Sequence, residues 1–417
     1  MSGGLDVFLD TAKVGRVWLD ERRRFVFAYD ANWLASNTAV PLSLHLPLRA
    51  EPYDDEQAHP FFANLLPESD LRRRVARRLG LSEHNDFALL EAVGGECAGA
   101  ISLLPEGAEP AGSGRYKPLS DDELNQLVAE LPQRPLLAGE EGIRLSLAGA
   151  QSKLPVLFDG RQVSLPMGEA ASTHILKPPI VHYPDTVENE YFCMRLAHRV
   201  GLAVPQVTLL RKAESLYLVE RCDRKRIASG DIKRIHQEDF CQALGILPYQ
   251  KYEKEGGPGL QMCFNLVRQR SIQPVADVRA LLHWVVFNYL IGNADAHAKN
   301  ISLLLTRQGP SLAPFYDLMC TAVYPELTPK LAMKIGTEDR PDWVIERRWR
   351  RFAEDVGVNF KMVRQNLVDL NETIETQANQ LAQQFRVEHG GCPIVDRILE
   401  VIQTRKKKIT NALADAD

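Results

Sequence analysis

The sequence predicts an α+β chain of two lobes, a β-rich N-terminal module and small lobe followed by an all-α C-terminal lobe. Short alternating runs of β-branched and aromatic residues mark the first half, and helical periodicity takes over in the second. A third observation gives the lobes a chemical purpose. The stretch Ile291 to Asn300 puts Asp295 and Asn300 five positions apart at the end of an apolar run, and Asp317 follows seventeen positions later in Phe315-Tyr316-Asp317-Leu318. Phosphoryl transfer needs a carboxylate that takes the proton of the substrate hydroxyl and an amide oxygen that holds magnesium. Mg²⁺ prefers hard oxygen ligands, so Asp317 can share the metal. The order catalytic Asp, Asn, metal Asp is that of protein kinases, and the expected architecture is therefore protein-kinase-like.

Along the chain, Val14 to Tyr29 alternates around the charged turn Asp20 to Arg24 and predicts a hairpin. A small mixed module comes next, with helices expected over His59 to Leu66 and Ser69 to Leu79, the second ending at Gly80. Arg72, Arg73, Arg74, Arg77 and Arg78 lie on that second helix. A solvated or ion-paired face is the default for them, with phosphate contact as the alternative. The segment Pro105 to Lys117 is rich in Gly, Pro, Ala and Glu and reads as a linker. This places a module over 1–104, the rest of the small lobe over 105–224, and the large lobe over 225–417. Strands are expected at Leu154 to Phe158, Gln162 to Leu165, His174 to Leu176, Gln206 to Arg211 and Ser215 to Glu220. Helices are expected at Glu188 to Val200, His236 to Leu244, Val275 to Ile291 and Val395 to Leu413.

The small lobe carries residues suited to a nucleotide. Arg144 to Lys153 is a small-residue loop entering a strand, and the backbone N–H groups of such a turn can reach phosphate oxygens, although a plain β-turn accounts for the isolated peptide as well. Lys177 ends a strand before two prolines. It reads either as a surface lysine at a strand exit or as the strand lysine that kinases place on the α/β-phosphates. Glu190, or Glu188, can orient Lys177 from the next helix, and both also suit a first helical turn electrostatically. Leu218 to Arg224, an extended segment leaving the small lobe, can present main-chain groups to adenine. The basic, Gly-containing stretch Lys225 to Arg234 reads as a mobile hairpin over the site, a contact for an acidic partner or, by default, a solvated loop.

Composition narrows the partners. A chain of 417 residues suggests roughly two or three domains. A net charge of -4 gives no global field for nucleic acid, so any DNA contact must be local. The seven cysteines are scattered, with no CxxC pair and no zinc-like spacing, as expected of reduced thiols in a cytosol. No signal peptide is indicated. The most apolar stretch, Ala280 to Gly292, contains His283 and Asn288 and is shorter than the ~20 residues a membrane span needs, so a buried helix and a cytoplasmic location are expected.

The residues resemble the HipA-type serine/threonine kinases, the toxin halves of bacterial toxin-antitoxin pairs. The resemblance runs over nearly the whole chain from Phe61-Phe62-Ala63-Asn64-Leu65-Leu66-Pro67-Glu68 onward. Its most specific pieces are Ser146 to Lys153, Val219-Glu220-Arg221-Cys222-Asp223-Arg224, His236 to Gly245 and Gly292 to Asn300. At matching positions it implies that Lys177 is the ATP-phosphate lysine, that Glu220 and Cys222 present hinge backbone to adenine, that Asp295 is the general base, and that Asn300 and Asp317 hold Mg²⁺. Ala148, Gly149, Ala150, Gln151, Lys153, Asp223, His297 and Lys299 complete the nucleotide-binding set that it implies. In this family the serine just ahead of the Ala-Gly-Ala-Gln turn is autophosphorylated, which expels the phosphate-binding loop and silences the kinase. Ser146 is the matching residue, and a phosphate there adds roughly -1.5 to -2 charge next to Arg144 in sequence.

Three features depart from or sharpen the pattern. Cys222 stands where relatives often place a bulky aromatic, so a roomier or more oxidisable adenine pocket is expected. His297 inside the catalytic loop either orients Asp295, relays a proton, or packs. Ser146 alone precedes the loop, which disfavours a two-serine variant of the mechanism. The resemblance further implies ATP and Mg²⁺ as cofactors, a protein target such as an aminoacyl-tRNA synthetase, arrested translation, and a HipB-like helix-turn-helix antitoxin that binds operator DNA with the toxin as co-repressor. The basic patches Arg72 to Arg78, Lys225 to Arg234, Arg347 to Arg351 and Arg405 to Lys408 are the candidates for phosphate contacts in such an assembly. A small-molecule kinase and a non-enzymatic regulator are the rival readings.

Overall fold

Alternation in the first thirty residues builds the expected hairpin. Ala12–Leu19 pairs antiparallel with Phe25–Tyr29, and Asp20 closes the turn by accepting from the backbone N–H of Arg22 at 2.9 Å and of Arg24 at 2.8 Å. Leu5–Leu9 and Ile101–Pro105 extend the sheet on the far side of Ala12–Leu19. Phe25, Phe27 and Tyr29 fall on one face, as period two dictates. They meet Phe62 and Phe87 in an aromatic core.

This computed structural model describes residues 3–414 apart from 111–113, 141–143, 169 and 229, so that parts of the expected linker and of the basic loop lie outside the described residues. The chain divides into two compact units. The first comprises Met1–Pro178, Arg211–Pro248 and Leu303–Pro310; the second comprises Pro179–Leu210, Tyr249–Ser302 and Ser311–Asp417. This division does not separate residues 1–104 from the rest of the small lobe, and it keeps 225–248 with the first unit instead of the large lobe. The reason is local pairing. Arg224–Arg226 and Ile232–Arg234 form a ribbon that returns to the hinge, where Ile235 N donates to Asp223 O at 2.8 Å.

In the first unit the helix expected at His59 starts four residues earlier, as Asp55–Ala63. Asp54 caps it by accepting from Gln57 N at 3.2 Å, and Pro60 sits inside it. Ser69–Leu79 ends where expected, on Gly80 at φ 67°. Its arginines form an ion-paired face, with Arg72 on Asp86 and both Arg73 and Arg74 on Asp70, while Arg77 and Arg78 stay exposed. The segment read as a linker contributes a strand, Arg115–Pro118, and a capped helix, Asp121–Glu130, comes after it. Strands Arg115–Pro118, Val163–Met167, Leu154–Phe158, His174–Lys177 and Ser215–Glu220 lie side by side in that order. Their register sets Lys177 opposite Tyr217. The expected helix His236 to Leu244 splits into a strand, His236–Asp239, and a short helix, Phe240–Leu244. The break falls at Asp239, which forms a capping box with Gln242.

The second unit is dominated by helices: Thr186–Arg199, Leu260–Arg270, Pro274–Ile291, Glu346–Asp355, Phe360–His389 and Pro393–Ala414. Pro274–Ile291 is apolar nearly all round and lies in their midst, Trp284 stacking on Phe315 at 5.8 Å and Tyr289 meeting Trp349 at 5.5 Å. Among the described residues no helix is long and apolar enough to cross a membrane. Gly292 ends the central helix at φ 70°, and a Cβ there would come within 2.7 Å of Val401 Cγ1 and 2.9 Å of Ala322 Cβ. Gly292→Ala is therefore expected to destabilise the second unit by roughly 2–4 kcal/mol, from left-handed strain plus overpacking. Denaturant unfolding checks this as a lowered midpoint at unchanged slope.

Candidate active site

The residues expected to carry chemistry fall in both compact units, and each group has its own geometry. In the second unit the catalytic-loop sequence is fixed from behind by amides and a hydroxyl. Asn288 Nδ2 donates to Trp284 O at 2.8 Å, Asn293 Nδ2 donates to Asn288 Oδ1 at 2.8 Å, and Asn293 Oδ1 accepts from Asp295 N at 3.0 Å. Thr321 Oγ1 accepts from Ala294 N at 2.7 Å and donates to Gly292 O at 3.2 Å. Asn300 Nδ2 closes the loop by donating to Asp295 O at 3.0 Å. The backbone of Asp295 is thus held on both sides while its side chain stays 53% exposed. A carboxylate so presented can accept a proton from an incoming hydroxyl.

Around it, His297 lies with Nε2 4.0 Å from Asp295 Oδ1, outside hydrogen-bond range. Its ring packs edge-on against Tyr252 at 5.2 Å. Tyr252 Oη in turn donates to Asp295 Oδ1 at 2.7 Å. Lys299 is buried, and its carbonyl accepts from Tyr316 Oη at 2.8 Å. Asp317 is half-buried and sits at φ 55°, a left-handed conformation uncommon outside Gly, Asn and Asp. The donor set suits magnesium. Asn300 spends its amide nitrogen on Asp295 O, so its amide oxygen would be the atom to meet a cation, and Asp317 would add a second hard oxygen.

In the first unit the loop Ser146 to Lys153 is pinned at its start and its middle to the N-terminal module. Ser146 N donates to Glu96 O at 2.9 Å, Ser146 Oγ donates to Leu65 O at 2.7 Å, and Glu68 N donates to Gly149 O at 3.1 Å. Ser146 is fully buried there. Gly149 takes φ 104°, and a Cβ on it would lie 2.6 Å from Lys153 Nζ, so this turn needs glycine. Lys153 Nζ donates to Ala148 O, and Gln151 Nε2 donates to Pro178 O at 3.2 Å. Lys177 is buried with Nζ 5.7 Å from the centroid of the Tyr217 ring. Two lysines beside a turn that only glycine can make fit a polyphosphate. Glu188 and Glu190 are buried in Thr186–Arg199 of the second unit.

The hinge segment brings two corrections. Asp223 belongs, on sequence, with the nucleotide-binding residues, but its carboxylate is already committed: Arg221 Nε at 2.9 Å, Arg221 Nη2 at 2.7 Å and Gly99 N at 2.7 Å donate to it, and Arg224 Nη1 lies 3.1 Å away. Its carboxylate holds the hinge, so any nucleotide contact of Asp223 would fall to its backbone. Glu96, Ser172, Arg221 and Arg224 complete that buried network, and sequence spacing offers no signal for it because Glu96 and Arg221 lie 125 positions apart. Cys222 is half-buried, desolvation pushes its thiol up to about 12, and its Sγ donates to Gln237 Oε1 at 3.5 Å, all of which disfavour the thiolate that oxidation needs. Glu220 is exposed, and Arg221 N donates to Thr173 O at 2.9 Å beside it. A separate cavity of about 860 Å³ in the second unit, lined by Val200, Leu202, Pro274, His283, Phe315 and Asn366 among others, contains none of the candidate residues.

Comparison with known proteins agrees with the motifs. A family model for the HipA N-terminal domain matches residues 5–104, and one for the HipA-like C-terminal domain matches residues 145–385. The protein named "Putative kinase Y4mE" of Sinorhizobium fredii (strain NBRC 101917 / NGR234) is 47% identical over 385 residues, covering 90% of this chain and 91% of its own. The serine/threonine-protein kinase toxin HipA of Shewanella oneidensis MR-1 is 32% identical, covering 89% of this chain and 87% of its own. The solved complex of Shewanella oneidensis MR-1 HipA, HipB and operator DNA superposes with a TM-score of 0.83 at 29% identity, covering 98% of this chain and 97% of that one.

Proposed function

From the premise that the chain belongs to the HipA family, we propose that it is a toxin-type serine/threonine protein kinase that uses ATP and Mg²⁺ and is silenced by phosphorylation of its own Ser146. The observation that carries this reading is the presentation of Asp295, its backbone tied by Asn293 and Asn300 and its carboxylate left towards solvent. Asp295 aligns and deprotonates a serine or threonine hydroxyl. Asn300 and Asp317 hold the metal, which when bound neutralises charge on the phosphates. Lys177, Lys153 and the turn Ala148 to Gln151 bind the phosphates, and the backbone of Glu220 and Cys222 faces adenine. His297 and Lys299 shape the catalytic loop around Asp295.

Ser146 suits a switch because of what surrounds it. Its hydroxyl donates to one carbonyl, Leu65 O, and its N–H donates to another, Glu96 O. A phosphate there replaces the donor with acceptor oxygens and adds roughly -1.5 to -2 charge in a buried place, so the modified loop cannot reseat. The protein target is read, from the family, as an aminoacyl-tRNA synthetase, with arrested translation as the outcome. The partner is a HipB-like helix-turn-helix antitoxin through which the chain reaches operator DNA. The Shewanella complex supports this, holding HipA with HipB and operator DNA. The test is intact mass and phosphopeptide mapping of the wild type beside Asp295→Gln after incubation with Mg-ATP. Phosphate on Ser146 in the wild type alone is the expected result. An unmodified wild type that still binds ATP would favour a regulator or a small-molecule kinase.

A further inference from the structure

A hydroxyl of the chain itself already sits on Asp295. Tyr252 Oη donates to Asp295 Oδ1 at 2.7 Å, within the reach at which a general base takes the proton of an acceptor hydroxyl. The ring behind it is braced. His297 meets it edge-on at 5.2 Å, and the ammonium groups of Lys251 and Lys254 lie 5.3 and 5.5 Å from its centroid. The backbone is braced as well. Gly257 N and Glu255 N donate to Tyr252 O at 3.0 and 2.9 Å, and the next residue, Glu253, donates its N–H to Ala332 O at 3.2 Å. Ala332 N donates to Ala294 O at 2.9 Å, so one residue ties the neighbour of Tyr252 to the neighbour of Asp295. The backbones that carry the two side chains are therefore held beside one another.

We propose that Tyr252 is a specificity-determining residue of the phosphoryl transfer assigned to Asp295: its hydroxyl fills the acceptor position there until a serine or threonine hydroxyl displaces it, and so keeps water from serving as acceptor. This inference rests on the kinase reading. In the reaction it suppresses, the oxygen of water bonds to the γ-phosphorus as the bond from that phosphorus to the ADP oxygen breaks. The water proton passes to Asp295 and on to solvent, and the products are ADP and inorganic phosphate. A bulky phenol held by its ring is a weak competitor for a flexible serine yet a strong one for water, which has no binding energy from elsewhere to spend.

Tyr252→Phe keeps the ring contacts and removes only the oxygen. On the full chain carrying Ser146→Ala, so that it cannot silence itself, with Mg-ATP and no other protein, release of inorganic phosphate is expected to rise about tenfold over Ser146→Ala alone, the scale of a hydrogen bond to a charged group. A second measurement reads the contact without activity. In chain labelled with 3-fluorotyrosine, the ¹⁹F resonance that Tyr252→Phe removes is expected to shift on Asp295→Ala. Phosphate release that stays level or falls in Tyr252→Phe would overturn the proposal, because Tyr252 would then only position Asp295. Phosphate found on Tyr252 itself would also overturn it, making the tyrosine an acceptor. A resonance that does not respond to Asp295→Ala sinks the role of Tyr252 alone. A responsive resonance in chains that neither hydrolyse nor transfer from ATP sinks the kinase reading and the role of Tyr252 with it.

Discussion

Asp295→Asn is expected to lower phosphate incorporation from labelled ATP by about 10²–10⁴-fold, the range a general base contributes, with the melting temperature of the chain unchanged. The separation of activity from stability comes from how the loop is held. Asn293 Oδ1 binds the N–H of residue 295 and Asn300 Nδ2 binds its carbonyl, so neither tie uses the carboxylate. The side chain is half exposed, and an amide oxygen at the same place still accepts from Tyr252 Oη. Asn300→Ala is the instructive contrast, because it removes the oxygen proposed for the metal and the tie to Asp295 O together. A residual rate in Asp295→Asn within tenfold of the wild type would mean that the carboxylate is not the base of the transfer.

What is legible in the sequence is local. Asp295 and Asn300 sit in one ten-residue stretch, and the helix Ser69–Leu79 carries its own stop in Gly80, so neither needs a distant partner to be recognised. The 30-residue helix Phe360–His389 is written in the stripe Val363, Leu367, Leu370, Ile374, Ala378, Leu381 and Phe385; it is not among the helices expected from the sequence, although spacing alone reveals it. His236–Asp239 is a different case. Its four residues suit the start of a helix by pattern, and they become a strand because a partner strand, Ser302–Thr306, comes some sixty positions later. Tyr252 reaches Asp295 across 43 positions, and no motif marks it. Arg221-Cys222-Asp223-Arg224 reads as part of an extended hinge segment, and only the arrival of Glu96 decides that these charges are buried.

That buried network sets the second large effect. Asp223→Ala is expected to destabilise the first unit by about 3–5 kcal/mol, because removing one partner of a buried ion cluster strands the others. Arg221 and Arg224 would then share Glu96 alone, each with a side chain 2% exposed. For a unit of this size the loss corresponds to a fall in melting temperature of roughly 6–20 °C. The pH dependence has a definite sign. Burial opposes ionisation of Asp223 and Glu96, but in both cases Arg221, followed by Arg224, outweighs it and holds the carboxyl below its usual value. Carboxyls depressed in the folded state contribute stability that is complete above their unfolded values near pH 4 and is lost as pH falls through and below that point, since the unfolded chain then binds more protons. The wild type should therefore begin to lose melting temperature near pH 5 and lose it most steeply below about pH 4. Asp223→Ala should start lower and fall less over the same interval. Asp223→Asn separates charge from packing, since it keeps the side-chain volume and places amide hydrogens against the guanidinium groups. Equal melting curves for wild type and Asp223→Ala at pH 7 would show that Glu96 alone suffices for both arginines, and the hinge would then owe its shape to backbone pairing such as Ile235 N to Asp223 O instead of to this cluster.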